Sequence, residues 1–216
     1  MVTAAKQQTY EDLRDLALHR PLTAEDLAAL PDDGNRYEII GGQPIVSPSP
    51  TYRHQRISFK LTSVLDAYLS VSGNAQAVAA PMDVHLSQND VVQPDLLVVL
   101  DARAEIIQDR GVMGPPDLVI EILSPSSISN DFLRKSKLYE RFGVREYWIV
   151  NPESETVSVQ TLDGDGFVLA GEYGRNDTLS STVLDGFDLE LSAIFPERTE
   201  ESVQATQGES TTTNDE

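Results

Sequence analysis

The chain has no cysteine in its 216 residues. Disulfides, thiolate zinc sites, iron–sulfur clusters and cysteine nucleophiles are excluded together. Histidine is nearly as scarce: there are three, so an all-histidine metal site would consume every one. Positive charge is also thin. Sixteen Lys and Arg face 35 Asp and Glu, a formal net charge of -19. That balance argues against a sequence-nonspecific DNA coat, which needs a basic face, but not against a nucleic-acid enzyme with segregated charge. No apolar run approaches the roughly 18 residues of a membrane span, and the opening stretch MVTAAKQQTYEDLRD has no apolar core of a secretory leader. The expectation is a cytoplasmic protein with no membrane partner. The motif G-x-S-x-G, glycine-rich phosphate loops and HEXXH are all missing, which removes support for serine hydrolysis, P-loop chemistry and zincin chemistry.

What remains is a globular composition, 40% hydrophobic, at a length that suits one domain with its own core. The last stretch, PERTEESVQATQGESTTTNDE, is polar and carries six acids against Arg198. It reads as a disordered tail over 197–216, with a lead-in over 1–20 and one domain over 21–196. Removing the tail still leaves a net charge of -14.

Residues 1–30 suggest short helices. Thr23 caps one of them, with Asp26 in the capping-box position. YEIIGGQPIVS reads as a hairpin turning at Gly41-Gly42. From Thr51 to Val71, Ile57, Leu61, Val64, Leu65, Tyr68 and Leu69 recur at helical spacing, with His54 on the same face and Gly73 as the stop. Three strands are expected next: Gln76–Leu86, a central Val91–Leu100, and Asp117–Leu123. A helix over Asn130–Phe142, stopped by Gly143, leads to a strand over Arg145–Val150, giving a crossover between parallel strands. TVSVQTL, FVLAGEY and FDLEL read as antiparallel strands with Asp-Gly turns at Asp163, Asp165 and Asp185. The order predicts an α/β core: a mixed sheet flanked by helices.

Two acids stand out. Glu121 lies inside DLVIEIL, with Val119 and Leu123 on its own face, where an unpartnered charge is costly. Asp95 follows Pro94 at the head of LLVVL, where strand meets loop. Acids on neighbouring strands at one sheet end suit a hard divalent cation, although Asp95 also reads as a turn residue and Glu121 as the partner of a buried Arg. The chain has four lysines (Lys6, Lys60, Lys135 and Lys137), and two fall in the helix DFLRKSKLYERF. Asp131, Lys135 and Tyr139 form one stripe of that helix. Lys135 is either aimed at the carboxylates or half of an exposed Asp–Lys pair, and Lys137 points to a different, solvated face. Glu38 in RYEII is a weaker candidate because alternation is able to place it in solvent. His54 is expected to be a satisfied cap or core histidine.

RYEIIGGQPIVSPSP, the His54 helix, VVQPDLLVV, GPPDLVIEILSPSS, DFLRKSKLYERFGVREYWIVNP and FDLELSAIF together resemble the PD-(D/E)XK nuclease superfamily. Within it they are similar to the Uma-two family of restriction-endonuclease-like proteins, abundant in cyanobacteria. The resemblance covers about residues 20 to 196. It implies a restriction-endonuclease-like fold, with an added N-terminal hairpin and C-terminal antiparallel strands. It also implies Mg²⁺- or Mn²⁺-dependent endonuclease hydrolysis of DNA. Asp95 would be the aspartate of the PD motif and Glu121 the following acid, holding metal together with the Ile122 carbonyl. Leu123 stands where the superfamily has lysine. The resemblance moves that role to Lys135, which would orient or help deprotonate a water and offset phosphate charge. Glu38 matches a family glutamate and His54 a recurrent family histidine. DNA is the implied partner, with a homodimer allowed. Two alternatives stay open: a catalytically inactive binding or regulatory module of the same fold, and a metal-dependent hydrolase of a small phosphate ester.

Overall fold

The computed structural model describes residues 9–30, 33–47, 49–124, 131–164 and 166–195, without the Asp131 side chain. The expected tail over 197–216 lies outside these residues.

Two short helices open the described chain, α1 (Tyr10–Ala17) and α2 (Ala24–Ala28). Asp26 of α2 accepts the Thr23 N–H at 2.8 Å, so the expected capping box forms. β1 (Arg36–Ile40) and β2 (Gln43–Ser47) make the hairpin. Gly41 and Gly42 turn it with φ of 60° and 75°, the backbone a two-residue turn with left-handed positions requires. α3 (Tyr52–Ser72) starts at Thr51, whose hydroxyl accepts the His54 N–H at 3.2 Å, and stops at Gly73 with φ 58°.

The next region corrects the expected strands. Gln76–Leu86 is not one strand but two, β3 (Ala75–Ala79) and β4 (Val84–Ser87). Val91–Leu100 is likewise split into β5 (Asp90–Val92) and β6 (Leu96–Leu100). In each pair the two halves belong to different sheets. Pro81 and Pro94 sit at the breaks; a residue with no N–H cannot continue a ladder, and the chain changes sheet there. A 3₁₀ segment (Asp101–Ile106) and the two-residue strands β7 (Ile107–Gln108) and β8 (Gly111–Val112) had no periodic signal. β9 (Leu118–Ile122), α4 (Asp131–Phe142) and β10 (Glu146–Asn151) follow, with β9 and β10 parallel as expected. β11 (Thr156–Asp163) and β12 (Gly166–Gly174) form a hairpin. β13 (Thr178–Ser180) pairs with β14 (Asp188–Glu190).

One six-stranded sheet runs β12-β11-β10-β9-β6-β3 and is mixed; a second runs β2-β1-β5-β4-β8-β7. Period-two alternation divides the first sheet's residues between two cores. Leu96, Val98, Leu118, Ile120, Ile122, Trp148 and Val150 face α3, meeting Ile57, Leu61, Leu65 and Leu69. Leu97, Val99, Val119, Tyr147 and Ile149 face the other way and meet Leu138 and Tyr139 of α4, together with Val84, Val92 and Val112 of the second sheet. The outer face of β1 is covered as well, where Ile39 packs with Leu13 and Leu22. Glu121 shares the α4 side with Val119 and is the one position of β9 that is not fully buried.

Candidate functional site

β6 and β9 run antiparallel with Leu96 opposite Ile120, so the next step beyond β6 brings Asp95 alongside Glu121 and Ile122. Pro94 ends the ladder there, and Asp95 turns back on the neighbouring strand. The Ile122 N–H donates to Asp95 Oδ2 at 2.8 Å. His54 Nε2 reaches the same oxygen at 3.1 Å, and Arg36 donates to Oδ1 at 3.0 Å. Burial alone would raise the Asp95 pKa. The His54 hydrogen bond and charge, the Arg36 guanidinium and the Ile122 N–H outweigh it and hold the carboxyl at about 2.

Glu121 is supplied from α4. Lys135 Nζ and Tyr139 Oη lie one turn apart on one face of that helix, and both donate to Glu121 Oε1, at 2.9 and 2.8 Å. The same ammonium stands 2.9 Å from Glu38 Oε1. Burial would strip the charge from Lys135, but Glu121 and Glu38 on either side raise its pKa above the ordinary lysine value. Burial pushes Glu121 up, as do the charges of Asp95 and Glu38, with Lys135 opposing. The Tyr139 phenol is likewise raised, by burial and by Glu121 beside it, and keeps its proton.

Glu38 departs from the solvent-facing reading of its strand. It is 2% exposed and also accepts the Gln93 N–H at 2.7 Å. The outer face of β1 lies against α1 and the segment after it, so its inner face, carrying Arg36 and Glu38, closes on the carboxylates. Arg36 was not singled out by the sequence, yet it is central. Its second nitrogen donates to the Gln93 carbonyl, tying the hairpin to the loop before Asp95. The available signal was alternation: a residue two before an inward Glu38 also points inward. His54 only partly fits the satisfied-histidine reading. Its backbone serves the helix cap and its Nε2 meets Asp95, but Nδ1 is buried with no hydrogen-bond partner among the described residues. Lys137 is exposed, as expected. Asp131 begins α4, but its side chain lies outside the description.

These groups line one cleft of about 140 Å³, walled by Ile45, Val46, Pro50 and Phe132 and floored by Asp95, Glu121 and Ile122. Among the described residues no three His, Asp or Glu side chains are already gathered as a metal-ligand set. Lys135 and Arg36 stand between the carboxylates instead. The donor chemistry fits a hard divalent cation: two carboxylates and a backbone carbonyl at one sheet end, all oxygen. Three carboxylates are crowded there against Lys135, Arg36 and the His54 ring, and a cation would add countercharge between acids that burial penalises.

A mixed sheet flanked by helices, with acids at neighbouring strand ends and a lysine delivered by the following helix, makes this an α/β protein. A crystal structure described as that of "a putative nuclease belonging to DUF820 from Anabaena variabilis" has this fold. It superposes with a TM-score of 0.68 over 81% of this chain and 98% of that chain, at 20% identity. The sequence profile of the family described as "Uma2: Putative restriction endonuclease" matches residues 24–192, and the chain belongs to that family. No curated protein matches the chain. Among the described residues no helix is long and apolar enough to cross a membrane.

Proposed function

We propose that the protein is a Mg²⁺- or Mn²⁺-dependent endonuclease that hydrolyses DNA phosphodiester bonds. The observation that carries this reading is the buried Lys135 ammonium. It is held 2.9 Å from both Glu38 and Glu121, in the cleft that Asp95 lines. A lysine and acids placed so deep are costly for folding alone, and such perturbed clusters mark functional sites.

Asp95, Glu121 and the Ile122 carbonyl would hold the ion, with Glu38 beside them. When bound, the ion would supply Lewis acidity, acidifying a water and neutralising phosphate charge. The chain's own groups do the rest. Lys135 stays protonated, so it serves not as the base but as a fixed positive charge for phosphate oxygens. Tyr139 keeps Glu121 in place, while Arg36 and His54 keep Asp95 ionised and oriented. In the reaction the water oxygen bonds to phosphorus as the strand's P–O bond breaks. One water proton is lost to solvent, and the leaving oxygen takes up another.

Supercoiled plasmid and single-stranded circles, incubated with Mg²⁺ or Mn²⁺, test this. Wild-type protein should cut, and Glu121→Gln and Lys135→Ala should each lose about a hundredfold or more. Unchanged cutting in both variants overturns the assignment of these residues. The second reading, a binding module of the same fold, draws on Leu123 at the superfamily's lysine position. It would be favoured if no DNA is cut and calorimetry finds no Mn²⁺ binding that Asp95→Asn removes.

A further inference from the structure

The charge of the chain is not evenly spread. From Ile39 to Leu65 there is no acid at all, in a sequence that holds 35. The first half of α3 lies in this window, and its outer face carries Tyr52, Arg56, Phe59 and Lys60. Their spacing puts them on one stripe. Tyr52 is 79% exposed and Phe59 61%. The Arg56 guanidinium lies over the Phe59 ring, 6.0 Å from its centroid. Arg53 is engaged by Glu153 and Glu155, but Arg56 and Lys60 have no carboxylate partner among the described residues. The stripe begins where the cleft opens: Pro50 lines the cleft two residues before Tyr52, and His54 lines it from the inner face of the same helix.

Two exposed rings about 10 Å apart along a helix, flanked by two cations with no carboxylate partner among the described residues, have the chemistry of a stacking platform. A duplex hides its base faces and offers mainly phosphate, which a chain of net charge -19 attracts weakly. A single strand offers both base faces and phosphate. A second copy of this chain is a poorer occupant, because a two-fold contact would set Arg56 and Lys60 against their own copies. We infer that the Tyr52–Arg56–Phe59–Lys60 stripe binds single-stranded nucleic acid, stacking bases on the two rings and leading the strand into the cleft. This rests on the endonuclease reading for the purpose of the cleft, and it selects unpaired strands as the preferred substrate.

Fluorescence anisotropy on the full-length, metal-free protein reads it separately from cleavage. The probes are a labelled oligonucleotide of about 15 nucleotides and the matching duplex, at low salt. The single strand should bind at least tenfold tighter than the duplex. Tyr52→Ala and Phe59→Ala should each weaken it roughly five- to a hundredfold (about 1–3 kcal/mol), and Phe59→Trp should not. Arg56→Gln with Lys60→Gln should flatten the salt dependence by roughly 0.7 per lost phosphate contact. All four side chains lie on an outer helix face, and melting curves confirm that the variants are folded. Equal binding of strand and duplex, or binding indifferent to both rings, overturns the inference. So does sedimentation showing that the rings hold a dimer that binds no strand. Plasmid cutting by a protein with these results would leave the endonuclease reading standing and remove this one alone.

Discussion

Lys135 Nζ stands 2.9 Å from Glu38 Oε1, tying a late helix to an early hairpin through the middle of the cleft. The same nitrogen holds Glu121 at the same distance, so one cation serves two buried acids. Lys135→Met keeps most of the stem and removes the charge. Glu38 and Glu121 are then left facing each other without the cation that bonds both, and Arg36 is engaged with Asp95. The expected loss is about 3–5 kcal/mol in urea unfolding. Adding Glu38→Gln and Glu121→Gln to Lys135→Met should return most of it, because no buried charge is then unpaired. A triple variant no more stable than Lys135→Met would show that the three groups are not one electrostatic unit.

Acid stability should carry the mark of Asp95. Its folded pKa of about 2 lies below the ordinary value of 3.8. A depressed acid contributes its stability above the unfolded pKa and loses it as pH falls through the folded one. The contribution is therefore complete above about pH 4, declines between pH 4 and 2, and amounts to about 2 kcal/mol. Asp26 is also held at about 2, by the Arg20 hydrogen bond that outweighs its partial burial, so the wild-type curve alone is ambiguous. The difference between wild type and Asp95→Asn is not. It should shrink steadily as pH falls from 4 to 2 in urea titrations, and a constant difference would contradict the assigned ionisation.

The parts of the fold legible in the sequence were those with one local period and clear stops. β9, α4 and β10 are an apolar run, an amphipathic stretch ended by Gly143, and a second apolar run. Their order alone implies parallel pairing. The breaks at Pro81 and Pro94 were harder. Apolarity says that Val91 and Leu96 are both buried, but not that they enter different sheets. Glu121 stood out because a strand core tolerates a charge only for a reason, and Asp95 because it follows Pro94 where a strand meets a loop. Glu38 was only a weaker candidate and Arg36 was not singled out, because which face of a hairpin is covered depends on segments elsewhere in the chain. Ile39 packs on Leu13 and Leu22, and that contact turns the other face of β1 to the cleft.

The hairpin that presents Glu38 should distinguish its two glycines. Both have positive φ, so either substitution by alanine costs about 1 kcal/mol of backbone strain. A Cβ at Gly41 meets nothing within 4 Å, whereas one at Gly42 would lie 2.6 Å from Pro21 Cβ and 2.8 Å from Pro21 Cα. Backbone at that distance cannot yield cheaply. Gly41→Ala should cost about 1 kcal/mol and Gly42→Ala about 2–4, measured by thermal unfolding. If the Gly42 variant is also the one that loses cleavage, the placement of Glu38 depends on this turn.

Arg36 offers the sharpest separation of structure from proposed chemistry. Its guanidinium spans Asp95 Oδ1 and the Gln93 carbonyl, and a lysine ammonium has no fork with which to hold both. Arg36→Met should destabilise by about 2–3 kcal/mol, and Arg36→Lys should recover less than half of that. Metal affinity should move the other way. Removing the guanidinium frees Asp95 Oδ1 and takes one positive charge out of the cleft, so Mn²⁺ should bind several-fold tighter by calorimetry. Cleavage should still fall, because Asp95 is then positioned by His54 and Ile122 alone. A variant that loses stability without gaining Mn²⁺ affinity would mean that Arg36 does not compete for the oxygen a cation uses. In that case the ion would sit away from Asp95 Oδ1, on the Glu121 side of the cleft.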